Sequence, residues 1–329
     1  MDNRDIHVLK YFSSFVSVSN GKVINITEPT LTFCPLAKHL YKDFSGIRSN
    51  DKEAIKKAIK NAVELKIKDH GFFTDQRKIS SDRVAIPYGA SEMISFALKK
   101  KAIDAAVMVC EGAGTVIAEK PEIAQGIGAR MNSLLLTSPI RGIIKKLKAS
   151  GCRVLFENAL IDQARGVQEA IGAGQKIIAV TVCGHSAEDL EILRVLEKQN
   201  KVKIISLAVC TTGIAQDKVK MIRDHADLVW GCASLDIRRM IGPSAIMQLS
   251  REIPVFVLTK KGMDFVSAYS GEEKFIKNLD IQKQYLLSSE PNGQCVQLGD
   301  FKAFIRESKL PVGARKEPRF EDKNEHAFL

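Results

Sequence analysis

Four short apolar runs, each ending in a cysteine, constrain this chain more than any other feature. Ala106-Val107-Met108-Val109 runs into Cys110, and Ala179-Val180-Thr181-Val182 into Cys183. Ser206-Leu207-Ala208-Val209 runs into Cys210, and Leu228-Val229-Trp230-Gly231 into Cys232. The runs are apolar throughout rather than alternating, as in strands of a parallel sheet covered on both faces. Helical stretches are predicted between and after them over Ile140–Ala149, Ile161–Gly172, Ala187–Lys198, Ile214–His225 and Leu235–Ile241. This rhythm predicts an α/β fold, doubly wound, with mainly parallel sheet arranged in two α/β halves.

The rest of the chain is organised around those halves. Near the N-terminus, Phe15-Val16-Ser17-Val18 and Lys22-Val23-Ile24-Asn25-Ile26 flank Ser19-Asn20-Gly21, a strong β-hairpin signal. A short strand over Thr30–Phe33 and a helix over residues 51–68 follow, the latter marked by Ile55, Ile59, Val63 and Ile67 at helical spacing. Further strands are predicted over Val84–Ile86, Arg153–Phe156 and Ile253–Leu258, and helices over Ser91–Lys101 and from Met263. Beyond these, Phe275–Leu287 reads as helix, Cys295–Leu298 as an edge strand and Phe301–Glu307 as a last helix. The predicted units are 1–80, 81–172, 173–270, an extension over 271–310, and a flexible tail over 311–329 with two prolines and no periodicity.

Composition narrows the partners. Lysine and arginine total 49 against 38 acidic residues, a formal +11 that suits an anionic ligand or an acidic protein partner. The lysine pairs lie inside amphipathic helical patterns rather than along one stripe, and aromatics are only 6%, which argues against nucleic acid. No apolar run reaches the roughly 18 to 20 residues that cross a bilayer. The polar start Met1-Asp2-Asn3-Arg4-Asp5 is no secretory signal, so a cytoplasmic location without membrane association is expected. The seven cysteines, an odd number with no Cys-x-x-Cys pair, read as thiols, ligands or catalytic groups rather than disulfide staples.

In open parallel sheets, ligands bind beyond the carboxyl ends of the strands, which is where the four cysteines fall. Cysteine is also a small hydrophobe at home at a buried strand end. Two functional readings stand beside that one: a thiolate cluster holding an iron–sulfur centre or soft metal, or a single nucleophilic thiolate. Cys34, Cys110, Cys210 and Cys232 are the candidate metal ligands. The segments after the strands suit an anion: Glu111, Gly112, Gly114 and Thr115 after Cys110, and Thr211 and Thr212 after Cys210. Gly126, Gly128 and Arg130 with Thr137 and Ser138 form another polar stretch suited to a phosphate or carboxylate. His39 and His185 are lone imidazoles nearby. There is no Walker A loop and no complete Gly-x-Gly-x-x-Gly.

Several of these stretches resemble the methanogenesis marker protein 8 family. The likeness is carried by Thr32-Phe33-Cys34-Pro35-Leu36, Gly89-Ala90-Ser91-Glu92, Ile103-Asp104-Ala105-Ala106-Val107, Cys110-Glu111-Gly112-Ala113-Gly114-Thr115-Val116-Ile117, Gln125-Gly126-Ile127-Gly128-Ala129-Arg130-Met131, Thr137-Ser138-Pro139-Ile140 and Thr211-Thr212-Gly213. It implies an anaerobic, archaeal or related cytosolic setting, and it carries over Cys34, Cys110 and Cys232 ahead of Cys183 and Cys210. Residues 89–170 are also similar to the beta subunits of deazaflavin-dependent hydrogenases and dehydrogenases, which use flavin and iron–sulfur centres. The chain departs from those subunits in having Glu157-Asn158-Ala159 where they carry a Pro-Cys segment.

The expectation is therefore an enzyme or maturation factor handling a redox or metal cofactor of anaerobic one-carbon metabolism. The alternatives are a non-catalytic regulatory protein that binds a small anion, and an assembly partner of a larger complex or of a second copy of itself.

Overall fold

Three N-terminal strands, β1 (His7–Tyr11), β2 (Ser14–Ser19) and β3 (Lys22–Ile26), form an antiparallel meander. The computed structural model describes residues 5–32, 51–131, 133–313 and 319–320. The turn between β2 and β3 is the Asn20-Gly21 pair, both left-handed at φ 47° and 66°, as a tight hairpin requires. Helix α1 (Lys52–His70) covers one face of this meander. Asp51 caps it by accepting from the Glu53 and Ala54 amides, and Gly71 ends it in the left-handed region at φ 70°. Leu9, Tyr11, Val16 and Val18 pack there against Ile55, Ile59 and Val63.

The middle of the chain runs α2 (Ala90–Lys99), β4 (Ala105–Cys110), β5 (Gly114–Ala118), α3 (Pro121–Gly128), β6 (Ser133–Thr137), α4 (Arg141–Ala149), β7 (Arg153–Val154) and α5 (Gln163–Gly172). Then follow β8 (Ile177–Cys183), α6 (Asp189–Asn200), β9 (Lys203–Val209), α7 (Gln216–His225), β10 (Leu228–Trp230) and α8 (Leu235–Met240). The last elements are β11 (Met247–Leu249), β12 (Val255–Val257), α9 (Lys260–Tyr269), α10 (Glu273–Lys277), β13 (Tyr285–Ser288), β14 (Gln294–Leu298) and β15 (Phe301–Glu307).

These strands form two sheets. The small one has the order β3-β2-β1-β6, and the large one β14-β15-β13-β11-β12-β10-β9-β8-β4-β5-β7. The centre of the large sheet, β10-β9-β8-β4, is parallel, and apolar side chains cover it on both faces. One face carries Val107, Val180, Val182, Ile204 and Ala208 against α5, α6 and α7. The other carries Ala106, Ala179, Ile205 and Leu207 in the cluster that includes residues of α2, α3 and α9.

The expectation of a mainly parallel, doubly wound sheet is corrected by the flanks. Six of the ten pairings in the large sheet are antiparallel, as are all three in the small one. For the consecutive pairs the reason is connection length, because a parallel crossover needs about a dozen residues and short turns permit only antiparallel return. Three residues join β4 to β5 and five join β11 to β12. Segment 301–307 is a strand rather than the expected helix: Ala303 and Ile305 are buried between more exposed neighbours, a period of two. Phe275–Leu287 divides into the short α10 and strand β13, and Val84–Ile86 is not a strand. Of the strand expected over Thr30–Phe33, residues 30–32 carry a single bridge, from Leu31 to Arg319, and Phe33 lies outside the described residues.

Candidate functional site

Because β4, β8, β9 and β10 run parallel, their carboxyl ends share one edge of the sheet. At that edge lies a cavity of about 540 Å³, within the usual size range for a small-molecule site. Met108 and Val109 of β4 and Thr181 and Cys183 of β8 line it from below. Val209 and Cys210 join them from the end of β9, and Trp230 and Cys232 from the end of β10. The roof is the segment 85–92 that leads into α2, with the link between α3 and β6 and the β14–β15 turn at the sides.

Side chains on one strand alternate between faces, yet the consecutive residues Val209 and Cys210 both line this cavity. Cys210 leaves the strand in the left-handed region at φ 60°, which breaks the alternation at that end. Cys232 at φ 43°, Arg130 at φ 62° and Ser250 at φ 65° are left-handed as well, and all four line the cavity. Non-glycine residues held there cost of order 1 kcal/mol or more each, and such positions gather at functional sites.

The cavity is walled mainly by apolar groups, with aromatic surfaces from Tyr88, Trp230 and Phe301. Trp230 is fixed by donating Nε1–H to the Tyr88 carbonyl at 2.8 Å. Burial pushes the Tyr88 hydroxyl up to about 12. Glu92 is nearly sealed at 2% exposure. It accepts from the Ala85 amide at 2.9 Å, the Ser91 hydroxyl at 2.9 Å and the Gln125 amide at 3.0 Å, which anchors the roof to α2 and α3.

Two cations line the wall, Arg130 and Lys302. Half-buried Arg130 has no hydrogen bond or ion pair from its guanidinium among the described residues, while its backbone carbonyl accepts from Lys66 Nζ at 2.7 Å. Lys66 is itself buried over the Tyr11 ring at 4.8 Å. Desolvation, first, and the neighbouring Arg130 and Arg77 lower its ammonium to about 7. Lys302 adds an exposed cation at the rim, close to Asp300.

The small sheet supplies further groups. Lys10 of β1 reaches His185 Nε2 at 3.2 Å and donates to the Thr212 carbonyl at 2.8 Å. Burial raises the Cys183 thiol, opposed by the His185 backbone N–H, Lys10 and the Ser133 hydroxyl. Burial also holds Cys210 well above the usual thiol range, with Ser133 and Lys10 again opposing.

The remaining predicted residues do structural work outside the cavity. Cys110 is fully buried, its thiol raised by desolvation and by Glu111. Glu111 forms a buried ion pair with Arg77, which also donates to the Gly126 carbonyl at 2.9 Å. The Gly112 amide donates to Thr137 Oγ1 at 2.8 Å, the atom that also meets His7 Nδ1 at 2.7 Å. Gly114, at φ 68°, lets β5 approach Leu160, whose carbonyl would lie 2.2 Å from an added Cβ. Thr115 donates to Gln163 at 2.8 Å, and Ser138 bonds to the backbone of Ile6. Thr211 donates to the Trp230 carbonyl at 2.6 Å, and Thr212 Oγ1 accepts from the Ala233 amide at 3.3 Å.

Of the predicted site residues, the structure thus gathers Gly128, Arg130, Cys210 and Cys232 at the cavity. Cys34 and His39 lie outside the described residues. Among the described residues, no three His, Cys, Asp or Glu side chains are grouped closely enough to hold a metal ion. Tyr88, Trp230, Ser133, Lys10 and Lys66 were not singled out by the sequence. Only Trp230 carried a signal, as the last aromatic of a strand that ends in a flagged cysteine.

A model of a family of uncharacterized proteins conserved in archaea, DUF2099, matches residues 7–269. The chain is also 38% identical over 265 residues to the uncharacterized protein MJ0054 of Methanocaldococcus jannaschii, covering 80% of this chain and 89% of that one. No solved structure matches. The chain belongs to the DUF2099 family.

Proposed function

We propose that this DUF2099 protein binds a small organic anion, with a largely apolar and preferably aromatic body, in the cavity at the carboxyl ends of β4, β8, β9 and β10. The observation that carries the reading is Arg130, a half-buried guanidinium on an apolar wall with no acceptor of its own among the described residues. A guanidinium in that position is satisfied by a carboxylate or phosphate, to which it bonds in bidentate fashion. Trp230, Tyr88 and Phe301 offer flat surfaces to the body of such a ligand. The formal +11 charge of the chain raises the local concentration of anions.

Binding, rather than metal chemistry, is favoured by the thiols. Burial raises the Cys183 and Cys210 thiols and so disfavours a standing thiolate pair on a metal, while neutral thiols serve as soft apolar lining. The likeness to marker protein 8 supports placing the ligand in the one-carbon metabolism of anaerobic archaea, inside the cell.

The chain has one tryptophan, and it lines the cavity, so its fluorescence reports occupancy directly. Aromatic carboxylates and aryl phosphates are expected to change the Trp230 emission saturably. Arg130→Gln is expected to weaken them about 10- to 100-fold, the range of a lost hydrogen bond to a charged group. Its melting temperature should be unchanged. Equal affinity in wild type and Arg130→Gln would remove the reading.

A further inference from the structure

Cys183 and Cys210 end adjacent parallel strands, with Cys183 paired to Val209 in the β8–β9 register. Strand spacing and one further residue of rise place their Cα atoms about 6 Å apart, inside the range that a disulfide spans. Separation alone is insufficient, because two cysteines one step out of register normally point to opposite faces. The left-handed turn at Cys210 breaks that alternation, and both residues line the same cavity. The Ser133 hydroxyl, carried in by the small sheet, stands beside both sulfurs. Cys232 lines the same space from the other side of β9.

The two thiols are not equivalent. The thiolate of Cys183 is favoured by the His185 backbone N–H, by Lys10 and by Ser133. Cys210 has the last two only, and its burial is more complete. Cys183 is therefore the better attacking group and Cys210 the better resolving one.

We infer that Cys183 and Cys210 form a redox-active dithiol whose substrate class is an organic disulfide bearing an anionic group, held by Arg130. This rests on the anion-binding reading above. The Cys183 thiolate attacks one sulfur of the ligand's S–S bond. A protein–ligand mixed disulfide forms, and the other half leaves as a thiolate that takes up the proton lost by Cys183. The Cys210 sulfur then attacks the Cys183 sulfur, and its proton goes to the second leaving thiolate. One ligand disulfide and two protein thiols become two ligand thiols and one Cys183–Cys210 bond. Two electrons pass from protein to ligand, and no other oxidant takes part.

The test treats the reduced full-length protein, under anaerobic conditions, with dithiobis(nitrobenzoate), an aromatic disulfide carrying carboxylates. Bis(hydroxyethyl) disulfide serves as the neutral comparison. Peptide mapping by mass spectrometry is expected to show a Cys183–Cys210 cross-link with no aryl group on either sulfur. The anionic reagent should form it about tenfold faster or more, as charge steering allows, and Arg130→Gln should abolish that advantage. Aryl adducts retained on both cysteines, a Cys210–Cys232 bond instead, or labelling confined to exposed Cys295 would each overturn the inference. If carboxylates quench Trp230 but no cross-link forms, the anion site stands and the dithiol falls. If the cross-link forms at equal rates from both reagents and regardless of Arg130, the dithiol stands and the anion site falls.

Discussion

Removing the Glu111 carboxylate is expected to destabilise the protein severely, for a reason read directly from its surroundings. Its partner Arg77 is buried to 3% exposure and stacks over the Phe72 ring at 3.8 Å. The rest of its guanidinium is committed to the carbonyls of Lys78, Gly126 and Ile127. It therefore has no route to water when Glu111 is lost. Breaking a buried pair from one side costs about 3–5 kcal/mol, because the surviving charge stays desolvated. Glu111 also helps to hold the charge on buried Lys66, so its loss adds to the penalty.

The corresponding melting shift follows from chain size. At about 2.1 cal/mol/K per residue, the 329 residues give an unfolding entropy near 0.7 kcal/mol/K. Glu111→Ala should then lower the melting temperature by about 4–7 °C, measured by calorimetry at neutral pH. Glu111→Gln, which keeps an acceptor for Nε–H, should fall less. The double variant Arg77→Met, Glu111→Leu should recover much of the loss, since an apolar pair replaces an ionic one at little penalty. A shift below about 1.5 °C for Glu111→Ala, or a double variant as unstable as the sum of its parts, would refute the assignment of Glu111 to structure.

Two further outcomes follow from other buried groups. Lys66 falls from 10.5 to about 7 on folding, so between those values the unfolded chain binds more protons and stability rises with pH. Thiols that burial raises, such as Cys183 and Cys210, reverse the trend above their ordinary value of 9.0. Urea unfolding should thus show stability climbing from pH 7 towards 9, and Lys66→Met should flatten that slope; an unchanged slope would count against a buried ammonium. Gly114→Ala should lose about 2 kcal/mol or more, because φ 68° and the Leu160 carbonyl 2.2 Å from the new Cβ both oppose it; a melting temperature equal to wild type would show that the β4–β5 turn relaxes.

The parallel centre of the sheet was legible because it is local and repetitive. Each of β8, β9 and β10 is a short apolar run followed by an amphipathic helix, and burial on both faces leaves that run no alternation to show. The flanks were not legible for the opposite reason. β5 begins in the glycine-rich segment that reads as an anion loop, since Gly114 serves equally to start a strand against the Leu160 backbone. β12 is as apolar as the strands of the parallel centre, so its reversed direction leaves no trace in composition. For β15, two buried positions out of seven were too few to separate a period of two from a helical one.

The four cysteines show where strand-end reasoning stops. All four occupy equivalent places in the sequence, yet Cys110 is sealed while Cys183, Cys210 and Cys232 reach the cavity. The difference lies in what the chain does next. After Cys110 it turns back within three residues, pairs Cys110 with Gly114 and keeps the strand running as a hairpin, so the cysteine faces the core. After Cys210 and Cys232 it leaves the sheet through a left-handed residue towards a helix, and that turn swings the side chain over the strand end. The strand-end cysteine therefore reaches the cavity where the strand hands over to a helix and is sealed where it hands over to a strand. Arg130 obeys the same logic, since it stands in a left-handed residue between α3 and β6 and so brings its side chain to the cavity wall. What the sequence lacked was the direction of the exit, and the dihedral angles of four residues supply it.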